Sequence, residues 1–580
     1  MSQVGPAVIQ TGDGRWPQAA IALVCIGALL VRLPMIGAGL PAIYWHDEYN
    51  FIEGALRIGS AGITDVSFGG YGHGTLTYFL LFGALGLFFA VGRLTGAFAG
   101  SDDFVQSYLL DPSAVFLVAR TVMLAASVGV VYVTYLVGRR LVGRAEGIVA
   151  ALLCGMSFHL IHVTFGKEDV LFTFFLVLAA WPAATILDRQ ETRSGYLLTG
   201  AVLGAAAAVK YLALFGVVIP LVAAILGGLR GMRLVKAMTL TGFTCILTFV
   251  CLVPGVLIDT GNFVAWVLRL FGENTGTLMA TLQEPSPWFR YLWGTYAGAG
   301  GIALTSLFYA GVITAAWTRS RRLLIVVAYP VTLTGALATL AFFGGATPVT
   351  FYQVSTIPFL AVAAAWVVCK AWRRWSLAGR AVLVGLLAAA TVANVGRIVK
   401  FNRLLASEDT RTIAREWIEG HVPAGASVLV EGAVFTFILE APQLRDNAAS
   451  LERDIADIRD RGGSGRLWQA KLDMLQRGLV SGPTYDLYKV YHLGEEDLAG
   501  ASARFVITRE PSSKRIVEKS GRYRLVHSVE PTEPNAFYVM PMLSLVDLER
   551  INEMTLFDSS EARRIGPPIG IYEARGVEQP

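Results

Sequence analysis

The sequence predicts an α-helical polytopic membrane protein with about 11 spans, one further apolar segment in or along the outer leaflet, and a C-terminal exoplasmic α/β domain. Three observations lead there. Of 580 residues, 54% are hydrophobic and only 16% charged, with a mean hydropathy of +0.54, a balance suited to lipid and rare in soluble chains. Apolar runs long enough to cross a bilayer recur between residues 19 and 398, and clusters of Arg and Lys punctuate every second bend. From Ser407 onward the composition turns to that of an ordinary globular chain.

The formal net charge of +5 reports orientation through where the basic residues fall, and no nucleic-acid partner is indicated. Cys25, Cys154, Cys245, Cys251 and Cys369 all lie inside apolar runs without metal-like spacing. They read as small core residues, not as a disulfide framework.

Taken in order, the polar start leads into a first span at 19–35. No small-residue cleavage site follows it, so it reads as an anchor and not as a removed signal peptide. Arg139, Arg140 and Arg144 mark one cytoplasmic bend, then Arg189 with Arg193, then Arg230, Arg233 and Lys236, then Arg319, Arg321 and Arg322, and last Lys370, Arg373, Arg374 and Arg380. Between these bends lie paired apolar runs at 147–163 with 170–187, 196–209 with 211–227, 237–258 with 298–317, and 323–343 with 354–368. The run at 381–398 exits outward and leaves the remainder of the chain outside.

Parity constrains the first exterior loop, about 37–113. With the N-terminus inside and Arg139 inside, the chain between them crosses once after the first span, yet it holds apolar runs at 76–91 and 114–137. The second is longer and leads into the basic bend, so it is assigned as the span. The run at 76–91 is then expected to lie along or dip into the outer leaflet, which is allowed where protein covers its polar ends; the competing reading is that both runs span and the orientation count fails at one bend, since 76–91 is long enough to cross.

The chain divides into a membrane domain, 1–400, and a soluble domain, 401–580. In the latter, Ser407-Glu408-Asp409 caps a helix through Glu419 with Ile413, Trp417 and Ile418 on one side. Strands are expected at 426–430, 504–508 and 523–529, with one or two helices in 451–479. No repeat, glycine-rich phosphate loop or metal signature occurs there, and a lid or docking role fits better than catalysis.

Ionisable residues collect on the exterior side. The first loop carries Asp47 and Glu48 beside Trp45 and Tyr49, then Tyr71-Gly72-His73-Gly74, and Arg120 opens the next span. The following turn carries His159, His162, Lys167, Glu168 and Asp169, and Lys210 sits at the third. Charges at membrane depth are costly and usually functional. Any single member has a plainer reading, Glu48 as a solvated loop charge, Lys210 as a snorkelling anchor and His159 as a hydrogen-bonded core histidine. Their collection on one face is the informative fact.

An Asp-Glu pair after the first span, Tyr-Gly-x-x-x-Leu opening an apolar helix, Arg120 heading the next span, Gly138-Arg139-Arg140-Leu141-Val142-Gly143 after it, and Asp169 followed by Leu171 and Phe172 resemble the GT-C membrane glycosyltransferases. The resemblance covers about 19–399. Within that superfamily it points to the branch of dolichyl-phosphate-mannose protein mannosyltransferases and of bacterial transferases that place aminoarabinose or other sugars on lipid A and lipopolysaccharide. The resemblance implies the GT-C fold, a bacterial inner-membrane location with an exoplasmic site, and inverting transfer from a polyprenyl-phosphate sugar to a lipid, glycan or protein acceptor. It also implies Asp47 as base, Glu48 as its neighbour, Asp169 as the second acidic position and Arg120 near the carrier phosphate. Where relatives carry Lys-Pro-Pro-Leu or His-Pro-Pro-Leu this chain has His73-Gly74-Thr75-Leu76, and where they carry Arg-Tyr before a late proline it has Phe351-Tyr352 before Pro358.

The chemistry agrees on its own terms. A sugar phosphodiester already has a good leaving group, so one base suffices, unlike the paired carboxylates of glycoside hydrolysis. The departing phosphate needs preorganised cations, for which Arg120, Lys210, His73 and Lys167 are the candidates. Trp45, Tyr49 and Tyr71 could contact a sugar or acceptor, although aromatics at this depth also serve as interfacial belt residues. Nothing in the spacing demands a cofactor, and a divalent cation could be held by His159 and His162, three apart on a helix, with Asp47 or Asp169. The competing classes are a transporter or flippase of lipid-linked glycans and a non-catalytic subunit of a glycan assembly complex. A transporter often shows inverted repeats and broken mid-membrane helices, and the sequence shows neither.

Overall fold

A computed structural model describes residues 16–44, 46–61, 74–164, 168–189, 192–269, 288–342, 350–434, 437–438, 441–460, 465–500, 502–532 and 564–576. Among these, nine helices are long and apolar enough to cross a membrane by length and composition. The protein is an integral membrane protein with an α/β domain at its C-terminus.

The first helix, α1 (Trp16–Arg32), is followed by α2 (His46–Ala61), α3 (Leu76–Thr95), α4 (Ser101–Leu110), α5 (Ser113–Leu141), α6 (Arg144–Gly155), α7 (Phe158–Ile161), α8 (Asp169–Asp188) and α9 (Arg193–Val209). Further helices include Gly231–Leu252, Trp288–Thr318, Arg321–Phe342, Ile357–Arg374 and Leu377–Leu405. The expected runs at 147–163, 196–209 and 211–227 form helices or helix pairs too short to count among the nine.

The region expected as a long exterior loop is largely helical. In α2 the buried positions Glu48, Tyr49, Phe51, Ile52, Ala55 and Ile58 recur at helical spacing, a signal present in the sequence. That face packs on α3, with the Phe51 and Tyr78 rings 5.4 Å apart. Helix α3 has the length and hydropathy to cross, and its two ends make different contacts. Its start is tied to the ends of two other helices, the Gly74 N–H donating to Val209 O (3.2 Å) and Thr75 Oγ1 to Leu252 O (2.6 Å). At its other end Phe88 and Phe89 pack on Phe98 and on Phe104 of α4, and α4 returns to α2 through Tyr108 Oη donating to Glu53 Oε1 (2.8 Å).

Gly74 explains why a proline motif has no place here. A Cβ built on it would lie 2.0 Å from Ala208 O and 2.3 Å from its carbonyl carbon, a backbone approach that only glycine allows.

In the C-terminal domain a five-stranded sheet runs in the order Asp486–Val490, Ser427–Glu431, Phe505–Thr508, Ile569–Ala574, Tyr523–Val529. The first three are mutually parallel and the last two join antiparallel. Asp409 accepts from the Arg411 N–H and caps the helix Thr410–His421, as its sequence indicates. The strands at 486–490 and 569–574 were not expected, because both lack a clear polar and apolar alternation. Helices Ala448–Asp460 and Arg466–Gln476 occupy the expected 451–479 region.

Candidate active site

Four carboxylates stand at the starts of two helices. Asp47 and Glu48 lie in the first turn of α2, Glu168 immediately precedes α8 and Asp169 is its first residue, where the helix dipole and free N–H groups favour negative charge. Glu48, Glu168 and Asp169 are buried; Asp47 is only half-buried. The two helix starts are linked through α3, whose approach is bonded to Val209, next to Lys210, and whose Tyr78 packs on Phe51 of α2.

Each pair has its own cation. Arg120 grips Glu48 with two bonds, Nε to Oε1 at 2.6 Å and Nη2 to Oε2 at 2.9 Å, and its Nη1 donates to Ile36 O and Ala38 O, both at 2.8 Å. The pair is 1% and 3% exposed. Such a planar, two-pronged contact is the geometry in which arginine surpasses lysine. It ties α2 and the chain before it to α5.

Lys210, at the end of α9, bridges the second pair, with Nζ 2.7 Å from Asp169 Oδ1 and 3.2 Å from Glu168 Oε1. Its ammonium also lies 5.3 Å from the centre of the Tyr352 ring, a cation–π contact. Burial alone would favour the neutral amine; Asp169 and then Glu168 outweigh it and hold the lysine protonated. Tyr352 thus reaches the site from the late segment that precedes Pro358.

Other expected site residues divide three ways. Tyr49 is 7% exposed, its ring packed within the main apolar core. Trp45, Tyr71, His73 and Lys167 lie outside the described residues. His159 and His162 are buried, their rings 6.2 Å apart, with His162 Nδ1 at 2.9 Å from Phe158 O and His159 edge-on to Tyr296. Tyr296 in turn donates to Gln353 Oε1 (2.8 Å), which also accepts from Thr334.

The metal set His159, His162 and Asp169 does not converge. Among the described residues, the one group of three with ligand atoms within 4.8 Å is Glu431, His492 and Glu510 in the C-terminal domain. There Glu431 already accepts from Leu493 N, Ser513 Oγ, Arg509 N and Glu510 N. Its lone pairs tie strand ends to a helix start and are not offered to an ion.

Sequence reading singled out Asp169 and Lys210 but not Glu168 or Tyr78 as site members. Glu168 was visible as a neighbour of Asp169, whereas nothing in the sequence marks one tyrosine of an apolar helix.

Comparison with known proteins bears on the whole arrangement. Residues 112–257 match the family model of dolichyl-phosphate-mannose-protein mannosyltransferase. The crystal structure of ArnT from Cupriavidus metallidurans bound to undecaprenyl phosphate is similar over 98% of this chain and 100% of that one, with a TM-score of 0.51 at 12% identity. The Archaeoglobus fulgidus oligosaccharyltransferase tethered to an acceptor peptide gives a TM-score of 0.45 at 10% identity over 74% of this chain, which spans 63% of that protein's length. No curated protein matches the chain.

Proposed function

We propose that this chain, which has the fold of the GT-C glycosyltransferases, transfers a sugar from a polyprenyl-phosphate carrier to a lipid, glycan or protein acceptor on the side of the membrane that carries its C-terminal domain. The observation that carries this reading is the gathering of Asp47, Glu48, Glu168, Asp169 and Lys210 at one end of an apolar helical bundle. The likeness to ArnT holding undecaprenyl phosphate supports a carrier of that class. A transporter would instead need polar groups lining a route across.

In this reading the acceptor oxygen or nitrogen bonds to the sugar C1 from the face opposite the carrier. The bond from C1 to the phosphate oxygen breaks, the carrier phosphate departs with the electron pair, and the acceptor proton passes to Asp47. Asp47 suits the role because it is the more accessible of the four carboxylates, and it is not the one that Arg120 neutralises. Lys210 supplies positive charge near the departing phosphate, with His73 and Lys167 as further candidates, and charge placed in advance is worth most where water is scarce. Glu48 and Arg120 hold α2 in place, and Asp169 with Glu168 aims Lys210.

Asp47→Asn is expected to lower transfer by on the order of 10²–10⁴-fold. Native mass spectrometry of purified protein should then find the mutant holding a polyprenyl-phosphate sugar where wild type holds bare carrier. Absence of any polyprenyl phosphate from both proteins, with other lipids retained, would remove the donor from this reading.

A further inference from the structure

The C-terminal domain reaches the stretch that leads into Asp47 through a set of contacts too specific for simple docking. Gln443 acts on both sides of one peptide unit's residue: its Oε1 accepts from the Ile43 N–H at 3.2 Å, and its Nε2 donates to the Ile43 carbonyl. A side-chain carboxamide thereby does for Ile43 what a neighbouring strand would do. Next in sequence, Tyr44 is 5% exposed. Its hydroxyl shares a hydrogen bond with Thr412 Oγ1 (2.9 Å), and the Arg411 guanidinium lies 3.9 Å from its ring centre.

Arg411 is itself immobilised. Asp409 accepts from its Nε at 2.8 Å and its Nη2 at 2.6 Å, and the pair is 4% and 11% exposed. Neighbouring Thr410 donates to Pro567 O (2.7 Å), while Glu408–Asp409 pairs in parallel with Arg564–Ile565. The platform under Tyr44 is therefore built from both ends of the C-terminal domain.

The same chain segment is held from the membrane side by Arg120, through Ile36 O and Ala38 O. Beyond Asp47, α2 is bonded to α4, where Tyr108 donates to Glu53 (2.8 Å), and α4 in turn lies against the helix Arg466–Gln476 of the domain. Asp47 stands three residues after Tyr44 and six before Glu53.

We propose that the C-terminal domain is a positioning element for the Asp47 turn, with Gln443, Thr412 and Arg411 as the positioning residues. A short displacement of a base from its reacting proton is costly in rate, so the domain governs turnover by fixing Ile43 and Tyr44, just before Asp47. The inference rests on the assignment of Asp47 as base, and its test separates the two.

In full-length protein, Gln443→Ala and Thr412→Val remove the Ile43 and Tyr44 bonds without touching Asp47. Hydrogen exchange of the amides at 43–48 should rise at least tenfold in Gln443→Ala, while exchange in α5 and α8 stays at the wild-type level. Turnover should fall about tenfold with KM for the lipid donor unchanged, and Thr412→Val should move both readouts the same way by less. Wild-type exchange at 43–48 in Gln443→Ala overturns the clamp whatever the activity. Faster exchange with undiminished kcat overturns the positioning role. Faster exchange and lower kcat alongside an active Asp47→Asn variant retain the clamp and overturn only the choice of Asp47 as base.

Discussion

Arg120 and Glu48 form an ion pair whose value lies in what its loss would leave behind. Both are almost fully enclosed, so Arg120→Met strands a carboxylate with no counter-charge and frees the carbonyls of Ile36 and Ala38. The expected cost is about 3–5 kcal/mol, and the double change Glu48→Gln with Arg120→Met should cost less than the single one. Thermal unfolding in detergent across the four variants of that cycle measures it; equal losses for the single and double changes would return Arg120 to a ligand-facing role. Lys210 differs in kind, since one ammonium serves two carboxylates and an aromatic ring.

Among elements, the helix Thr410–His421 joins positioning to pH. Its Trp417 is sandwiched between two imidazoles, stacked on His421 at 4.5 Å and on His527 of the strand Tyr523–Val529 at 4.6 Å. Burial, and then the proximity of His421, push the His527 pKa down. A depressed pKa means that the contribution of His527 is complete above its unfolded value of 6.5 and is lost as pH falls through the folded one. The contact between this helix and its strand should therefore loosen on acidification below pH 6.5. Trp417 fluorescence followed against pH reports it, and His527→Gln should flatten that titration; an unchanged curve would assign the transition elsewhere. The helix also carries Arg411 and Thr412, so loosening it reaches the chain before Asp47.

For the whole molecule, the order of the basic bends makes a topological claim. With α5 as the single crossing between the first span and the 139–144 bend, a cysteine placed at Thr95 should be labelled from the same side of the membrane as one at Lys514 in the C-terminal domain. One in the 139–144 bend should be labelled from the other side. With the five native cysteines replaced, impermeant maleimide labelling of cells decides this. Labelling of position 95 from the side of the 139–144 bend would make α3 a true span and reverse the parity of the loop.

Composition and the spacing of basic residues were enough to specify a membrane bundle with a globular tail, because the hydrophobic requirement of lipid acts on every residue and leaves a long-range periodic trace. Asp47, Glu48, Asp169, Arg120 and Lys210 were legible as a set, since charge is rare in such a chain and each stands at an apolar boundary. Their pairing was not legible. That Arg120 closes on Glu48, 72 residues away, while Lys210 closes on Asp169, depends on which helix ends the fold brings together, and a sequence carries no local mark of that. The burial of Tyr49 turned on the phase of α2, hidden while the segment read as a loop. The grip of Gln443 on Ile43 spans 400 residues and rests on one carboxamide meeting one peptide unit, which only the tertiary structure decides.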